Sequence, residues 1–168
     1  MINKDRLRTL FVIKNGGLYY KEARGHLKAN TKAGYVDEYG YVRIAIDGKK
    51  YMEHTLVWIY YFDEVPHEID HINNIRRDNR IENLREVTKS ENQLNVGIKS
   101  TNKSGYKNVC WNKLEQKWKV QLRVDGKCKH IGSFDDLQMA AQAAQKARTK
   151  YHGEFANHGK QTHGIGVK

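Results

Sequence analysis

The chain is poor in cysteine and has almost no proline. Its 168 residues include two Cys and one Pro. Cys110 and Cys128 stand too far apart for a paired-cysteine metal clip, which excludes zinc-ribbon and zinc-finger readings. A disulfide is unnecessary, and a reducing cytoplasm is the expected compartment. No signal peptide is expected, and no apolar run in the sequence is long enough to span a bilayer. No basic amphipathic helix rich in large apolar residues offers a membrane-surface anchor either. Acidic residues are also scarce, 19 against 30 Lys and Arg, for a formal net charge of +11. The shortage is uneven. Residues 1–97 hold 16 basic and 14 acidic side chains, whereas residues 98–168 hold 14 and 5. A skew of that size favours a polyanionic partner gripped by the second half.

The length allows one large or two small domains. Residues 1–17 are basic and poorly patterned, with a strand expected at LFVI and another at Leu18 to Tyr20. Tyr41 to Ile46 alternates, with Val42, Ile44 and Ile46 on one face, and Asp47-Gly48 is a hairpin turn signal. Glu53 to Phe62 reads as an apolar helix that ends near Asp63. Pro66 stands just before the next strand.

The stretch from Glu68 to Asn95, EIDHINNIRRDNRIENLREVTKSENQLN, carries the chemistry. An Asp-His pair, Asp70 and His71, closes a short extended run. A polar loop bearing Asn79 and Asn83 follows, then a strand from Leu84 to Val87. Thr88 to Glu91 reads as a capping box, which places Asn92 and Asn95 on one face of the helix it opens. A helix start of this kind suits a phosphate, and Asn95 is a candidate to meet one. Neighbouring side chains on a strand point to opposite faces, so the strand must end or bend at Asp70-His71 for both to serve one site. Asp70 and the amide oxygen of Asn92 are hard donors that suit Mg²⁺ or Mn²⁺. An imidazole such as that of His71 titrates at about 6.5 when unperturbed and can take a proton from water near neutral pH. Asn83 is expected to tie the loop and help aim the ring.

This arrangement resembles the HNH nucleases, the ββα-metal fold. His71 stands at the family's first histidine, Asn83 at its central asparagine in ENLREVT, and Asn92 at the third H or N. Asp70 matches the metal-binding acid. The upstream run GYVRIAIDGKKYMEHTLVWIYYFDEVPHEIDH is similar to phage-type homing endonucleases of this family. The resemblance implies His71, Asn83 and Asn92 as catalytic residues and one metal on Asp70 and Asn92. An Asn at the third position implies that this metal is weakly held. Product ends would be 5′-phosphate and 3′-hydroxyl.

A polar linker, residues 98–104, leads to a second pattern. Strands are expected at about Lys107–Trp111, Lys117–Val124 and Lys127–Phe134, with Asp125-Gly126 closing a hairpin. A helix opened by Asp135 or Asp136 follows. It carries a core stripe of Leu137, Ala140, Ala141, Ala144, Ala147 and Tyr151 and is capped by Gly153. Alternation on the middle strand separates Trp118, Val120, Leu122 and Val124 from Lys117, Lys119, Gln121 and Arg123. The landmarks SGYKNVCW, KWKVQL, IGSF, AAQAAQKA and HGEFAN resemble the plant Apetala/ethylene-response-factor DNA-binding domain. That resemblance implies DNA-contacting positions at Lys107, Trp111, Lys117, Lys119, Gln121, Arg123 and Lys129. The spacing of His152, His158 and His163 fits no metal site, and a solvated tail is expected there.

The expected architecture is α+β. Residues 1–97 form N-terminal antiparallel strands and an HNH unit. Residues 105–157 form a three-stranded antiparallel sheet packed on one helix, and 158–168 a tail. The expected function is a homing DNA endonuclease, hydrolysing phosphodiesters at a recognised site with Mg²⁺ or Mn²⁺ and able to nick one strand. It would act on double-stranded DNA as a monomer in the cytoplasm, a host's if phage-encoded, with no small-molecule cofactor. The competing expectation is a sequence-specific DNA-binding regulator with an inactive HNH unit.

Overall fold

Residues 2–159 are described by a computed structural model, and the chain divides into two units between Lys89 and Ser90. The fold is α+β, with helices and small antiparallel sheets.

In the first unit, α1 (Lys4–Leu10) starts at Asn3, whose side chain accepts from Arg6 N at 3.0 Å. This helix has no periodic apolar signal in the sequence. Leu7 is its one buried side chain, so its apolar signal is a single residue. β1 (Phe11–Lys14) and β2 (Gly17–Tyr20) form an antiparallel hairpin. β3 (Tyr35–Val36), β4 (Val42–Ile46) and β5 (Lys49–Met52) form a second sheet with β4 in the middle. Asp47 and Gly48 take φ of 49° and 78°, the paired left-handed conformation of a tight hairpin turn. Val42, Ile44 and Ile46 are buried as the alternation requires. They meet α2 (Glu53–Phe62) through Leu56, Val57 and Ile59, and Leu7, Phe11 and Leu18 complete one core. α2 stops at Asp63, in the left-handed conformation at φ 61°. β6 (Glu68–His71) and β7 (Leu84–Val87) then pair as a ribbon whose Leu84 joins the same core.

α3 (Lys89–Asn95) begins at the division. The second unit is built on β8 (Val109–Asn112), β9 (Lys117–Val124) and β10 (Lys127–Phe134), with β9 central, and α4 (Leu137–His152). β8 starts at Val109, later than expected, because Asn108 sits at φ 69°, outside strand geometry. Asp136 caps α4 by accepting from Met139 N at 2.8 Å. Ala140 and Ala144 are fully buried against Val109 and Val120, since alanine lets a helix lie close on a sheet. His152 is a buried residue of α4, not part of a solvated tail; its Nε2 lies 2.9 Å from the Arg123 carbonyl. His163 lies outside the described residues. Among the described residues no helix is long and apolar enough to cross a membrane.

Candidate active site

The site is organised by a buried polar chain that starts in the β1–β2 hairpin. The Leu18 N–H donates to Glu53 Oε1 at 2.9 Å. Glu53 Oε2 accepts from Asn79 Nδ2 at 2.7 Å, and Asn79 Oδ1 lies 2.8 Å from His71 Nε2. Glu53 and Asn79 are each 1% exposed and His71 5%. Burial pushes the Glu53 carboxyl above the ordinary carboxylate range, opposed by the Leu18 and Asn79 hydrogen bonds and by Lys32. Both Glu53 oxygens accept N–H groups, the pattern of an ionised carboxylate, which only accepts.

β6 ends at His71, so regular strand geometry stops at the Asp-His pair. His71 stands opposite Leu84, on the core side. His54, from the first turn of α2, packs edge-on against His71 with ring centroids 5.2 Å apart. Tyr41 closes on both rings, 5.6 Å from His54 and 6.1 Å from His71. Burial and the neighbouring His71 hold His54 down to about 4, so it is neutral at neutral pH. Arg76 lies over the Tyr41 ring at 4.9 Å and donates to the Tyr39 carbonyl at 2.6 Å, which brings a cation to this aromatic wall.

Asp70 stands opposite Arg85. Arg85 Nε and Nη2 both donate to Asp70 Oδ2, at 2.9 and 2.7 Å, and the carboxylate is 6% exposed. Asn83 closes the loop between the two strands. Its Nδ2 donates to Asp78 O at 2.7 Å and to Asn73 Oδ1 at 3.0 Å. Its Oδ1 accepts from Asn73 N at 3.0 Å, and its carbonyl accepts from Ile72 N at 2.9 Å. Arg80 and Asn73 hold the loop's Asp78 carboxylate down to about 2. Gly16, at φ 76°, packs on the far side of the loop; a Cβ there would lie 2.3 Å from Arg80 N and 2.6 Å from Asn79 C.

Among the described residues no three His, Cys, Asp or Glu side chains gather into a metal cage. The donors fit a different ion. The buried Asp70 carboxylate is a hard donor, of the kind taken by a cation that keeps several waters, as Mg²⁺ does. It does not suit zinc, which takes a full set of nitrogen or sulfur donors.

In the second unit, Lys117, Lys119, Gln121 and Arg123 lie on the sheet face away from α4, opposite Asn112, Cys110, His130 and Cys128. Two expected members of this face lie elsewhere. Trp111 pairs with Trp118, so it stands on the helix-side face, with ring centroids 4.9 Å apart. Lys129 pairs with Leu122 and sits over Tyr151 of α4 at 4.7 Å. Lys107 precedes β8. Its ammonium donates to the Leu94 carbonyl at 2.7 Å, and burial, with Arg148 nearby, pulls it down to about 8. Asn95 is buried too, accepting from Asn157 Nδ2 through its carbonyl at 2.6 Å and its Oδ1 at 3.2 Å. Asn92 lies on α3.

Glu53, His54 and Arg85 were not picked out in the sequence. The signal available was Glu53-His54, two polar residues heading an otherwise apolar helix, EHTLVWIYYF.

A family model described as HNH endonuclease matches residues 51–94. Over 105 residues the chain is 30% identical to Protein 3.8 of Escherichia phage T7, an alignment that covers 61% of this chain and 86% of that protein. No solved structure matches.

Proposed function

We propose, from the premise that this chain belongs to the same family as Protein 3.8 of Escherichia phage T7 and carries an HNH endonuclease domain at residues 51–94, that it is a metal-dependent DNA endonuclease. The HNH domain supports a nuclease-type function with DNA as substrate. The observation that carries the finer reading is His71, buried at the end of β6 with its Nε2 on Asn79 and with the buried Asp70 carboxylate beside it in sequence.

In this reading His71 takes a proton from the attacking water as the new O–P bond forms. The P–O3′ bond breaks, the phosphate stays on the 5′ side, and the departing 3′ oxygen takes up a proton from solvent. Asn83 and the Asp78 network keep the loop closed, so the imidazole does not drift from its partner. His54 and Tyr41 wall the ring from bulk water, and His54, being neutral, adds no repulsion to the positive charge that develops on His71. Asp70 and Asn92 would hold Mg²⁺ or Mn²⁺. When bound, such an ion supplies Lewis-acid stabilisation of charge on the phosphate and on the leaving oxygen. Lys117, Lys119, Gln121 and Arg123 offer a basic sheet face suited to phosphates and base edges. A monomer with one such site cuts one strand, so nicking at a recognised site, with a homing role, is the expected activity.

The test is incubation with supercoiled plasmid and Mg²⁺ or Mn²⁺, with an EDTA control. Relaxed circles that depend on metal and disappear in His71→Ala, by a factor of about 10² to 10⁴ in rate, support the reading. One observation favours the alternative of a DNA-binding regulator with an inactive HNH unit: Arg85 already engages Asp70. Tight binding of the plasmid with no cleavage in either metal would favour that alternative.

A further inference from the structure

We propose that Glu53, acting through Asn79, fixes the tautomer of His71 and so makes Nδ1 the nitrogen that accepts the proton in the cleavage reaction. The catalytic half of this inference rests on the nuclease reading above; the structural half does not.

The argument is one of hydrogen-bond polarity. The Leu18 amide can only donate, so Glu53 Oε1 must accept. With the carboxylate ionised, Oε2 accepts as well, and Asn79 must present its NH₂ to it. The other end of the Asn79 amide is then its carbonyl oxygen, an acceptor, facing His71 at 2.8 Å. An acceptor at that position requires a hydrogen on Nε2. In a neutral imidazole the lone pair then belongs to Nδ1. Every group in the chain is buried, so no water is needed to complete it, and each group's role is set by the one before. The order repeats a known logic for a general base: a buried carboxylate fixes the ring tautomer and stabilises the imidazolium that forms. Here an amide stands between carboxylate and ring.

Glu53→Gln inverts the chain. The Gln oxygen stays on the Leu18 amide, so its NH₂ now faces Asn79. Asn79 must turn its carbonyl to Gln and its NH₂ to His71, which forces Nε2 to accept and moves the ring hydrogen to Nδ1. Glu53 and Asn79 are thus positioning residues. They act on the base and do not touch DNA.

The experiment reads the ring nitrogens directly. Long-range ¹H–¹⁵N correlation spectra of the full-length, histidine-labelled protein are recorded at neutral pH, with His71→Gln used to assign the His71 signals. The wild type should show the ring hydrogen on Nε2 and none on Nδ1, and Glu53→Gln should show the reverse. Cleavage by Glu53→Gln should fall by about 10² to 10⁴ in kcat, with KM for plasmid unchanged. A wild-type ring protonated on Nδ1 overturns the proposal whether or not the variant folds. A folded Glu53→Gln that keeps Nε2–H also overturns it and leaves the nuclease reading standing. A wild-type protein with the expected tautomer that never cuts DNA overturns the nuclease reading, and the catalytic half of this proposal with it.

Discussion

Asp70 and Arg85 face each other across the β6–β7 ribbon, and both guanidinium N–H groups close on one carboxylate oxygen, at 2.7 and 2.9 Å. The pair is largely buried, with side chains 7% and 16% exposed. A fork of this kind orients the carboxylate, and it also supplies a positive charge where the proposed metal would sit.

Arg85→Gln should therefore do two things. It leaves a buried carboxylate without its cation, which costs roughly 3 kcal/mol of stability. Mg²⁺ should restore part of that loss, because the ion binds the folded state where the guanidinium had been. Thermal melts of wild type and variant, with and without Mg²⁺, check this. A loss of the same size in both conditions would show that Asp70 does not meet the metal.

A second expectation concerns acid stability. His54 is held at about 4 in the folded protein. An unfolded histidine titrates at about 6.5. Between these values the unfolded chain binds the extra proton, so stability is full above about 6.5 and is lost as pH falls toward 4, by on the order of 3 kcal/mol. Glu53, raised by burial, acts in the opposite sense, since its folded-state stabilisation fades as pH rises through its window. Comparison of wild type with His54→Gln cancels the Glu53 contribution. The variant should melt with a visibly flatter dependence between pH 7 and 4.5, and identical pH profiles would contradict the assignment.

Much of this site was legible in the sequence, and the reasons for the gaps are physical. The alternation of Val42, Ile44 and Ile46, the Asp47-Gly48 turn and the Asp136 and Gly153 caps are local signals, and each appears where local chemistry puts it. The sequence reading singled out Asp70, His71 and Asn83 because they fall in one short segment. Glu53 was missed because its partner Asn79 lies 26 residues away. A carboxylate at a helix start also has an ordinary explanation, favourable interaction with the helix dipole. The face of Trp111 was assigned through a family likeness. The register decides it: Trp111 opposes Trp118, a residue the alternation had already put on the core side. Lys129 follows the same rule through Leu122, ahead of the irregularity between His130 and Gly132 that shifts the rest of β10.

A third expectation follows from Gly16. It lies at φ 76°, and its missing Cβ leaves room for the backbone of Asn79 and Arg80. Gly16→Ala adds about 1–2 kcal/mol of left-handed backbone cost and drives a methyl group into main chain that cannot yield as a side chain would. The displaced residue is the one that holds His71. Cleavage should therefore fall further than the stability loss accounts for, measured well below the variant's melting temperature. Gly25→Ala, also at positive φ but with nothing within 4 Å of its Cβ, is the control. It should lose stability on the same scale and keep its rate. Equal rate losses in the two variants would mean that strain alone explains the effect.

The last expectation separates the two faces of the second unit. Lys119 and Arg123 lie on the sheet face away from α4, opposite Cys110 and Cys128, and Arg123 is exposed. Lys129 lies on the other face against Tyr151, and Trp111 stands with Trp118. A protein that holds DNA through one face should lose phosphate contacts only there. Lys119→Ala and Arg123→Ala should each lower the slope of log affinity against log salt by about one, the signature of one lost counterion-releasing contact. Lys129→Ala removes a charge of the same sign at a similar distance along the strand, and should leave that slope nearly unchanged. Trp111→Ala should weaken packing against Trp118 and lower the melting temperature with little effect on the salt slope. The measurement is a salt titration of duplex binding for the four variants in the intact chain. If Lys129→Ala lowers the slope as far as Lys119→Ala and Arg123→Ala do, the helix side of the sheet also meets DNA, and the outer face is not the sole grip.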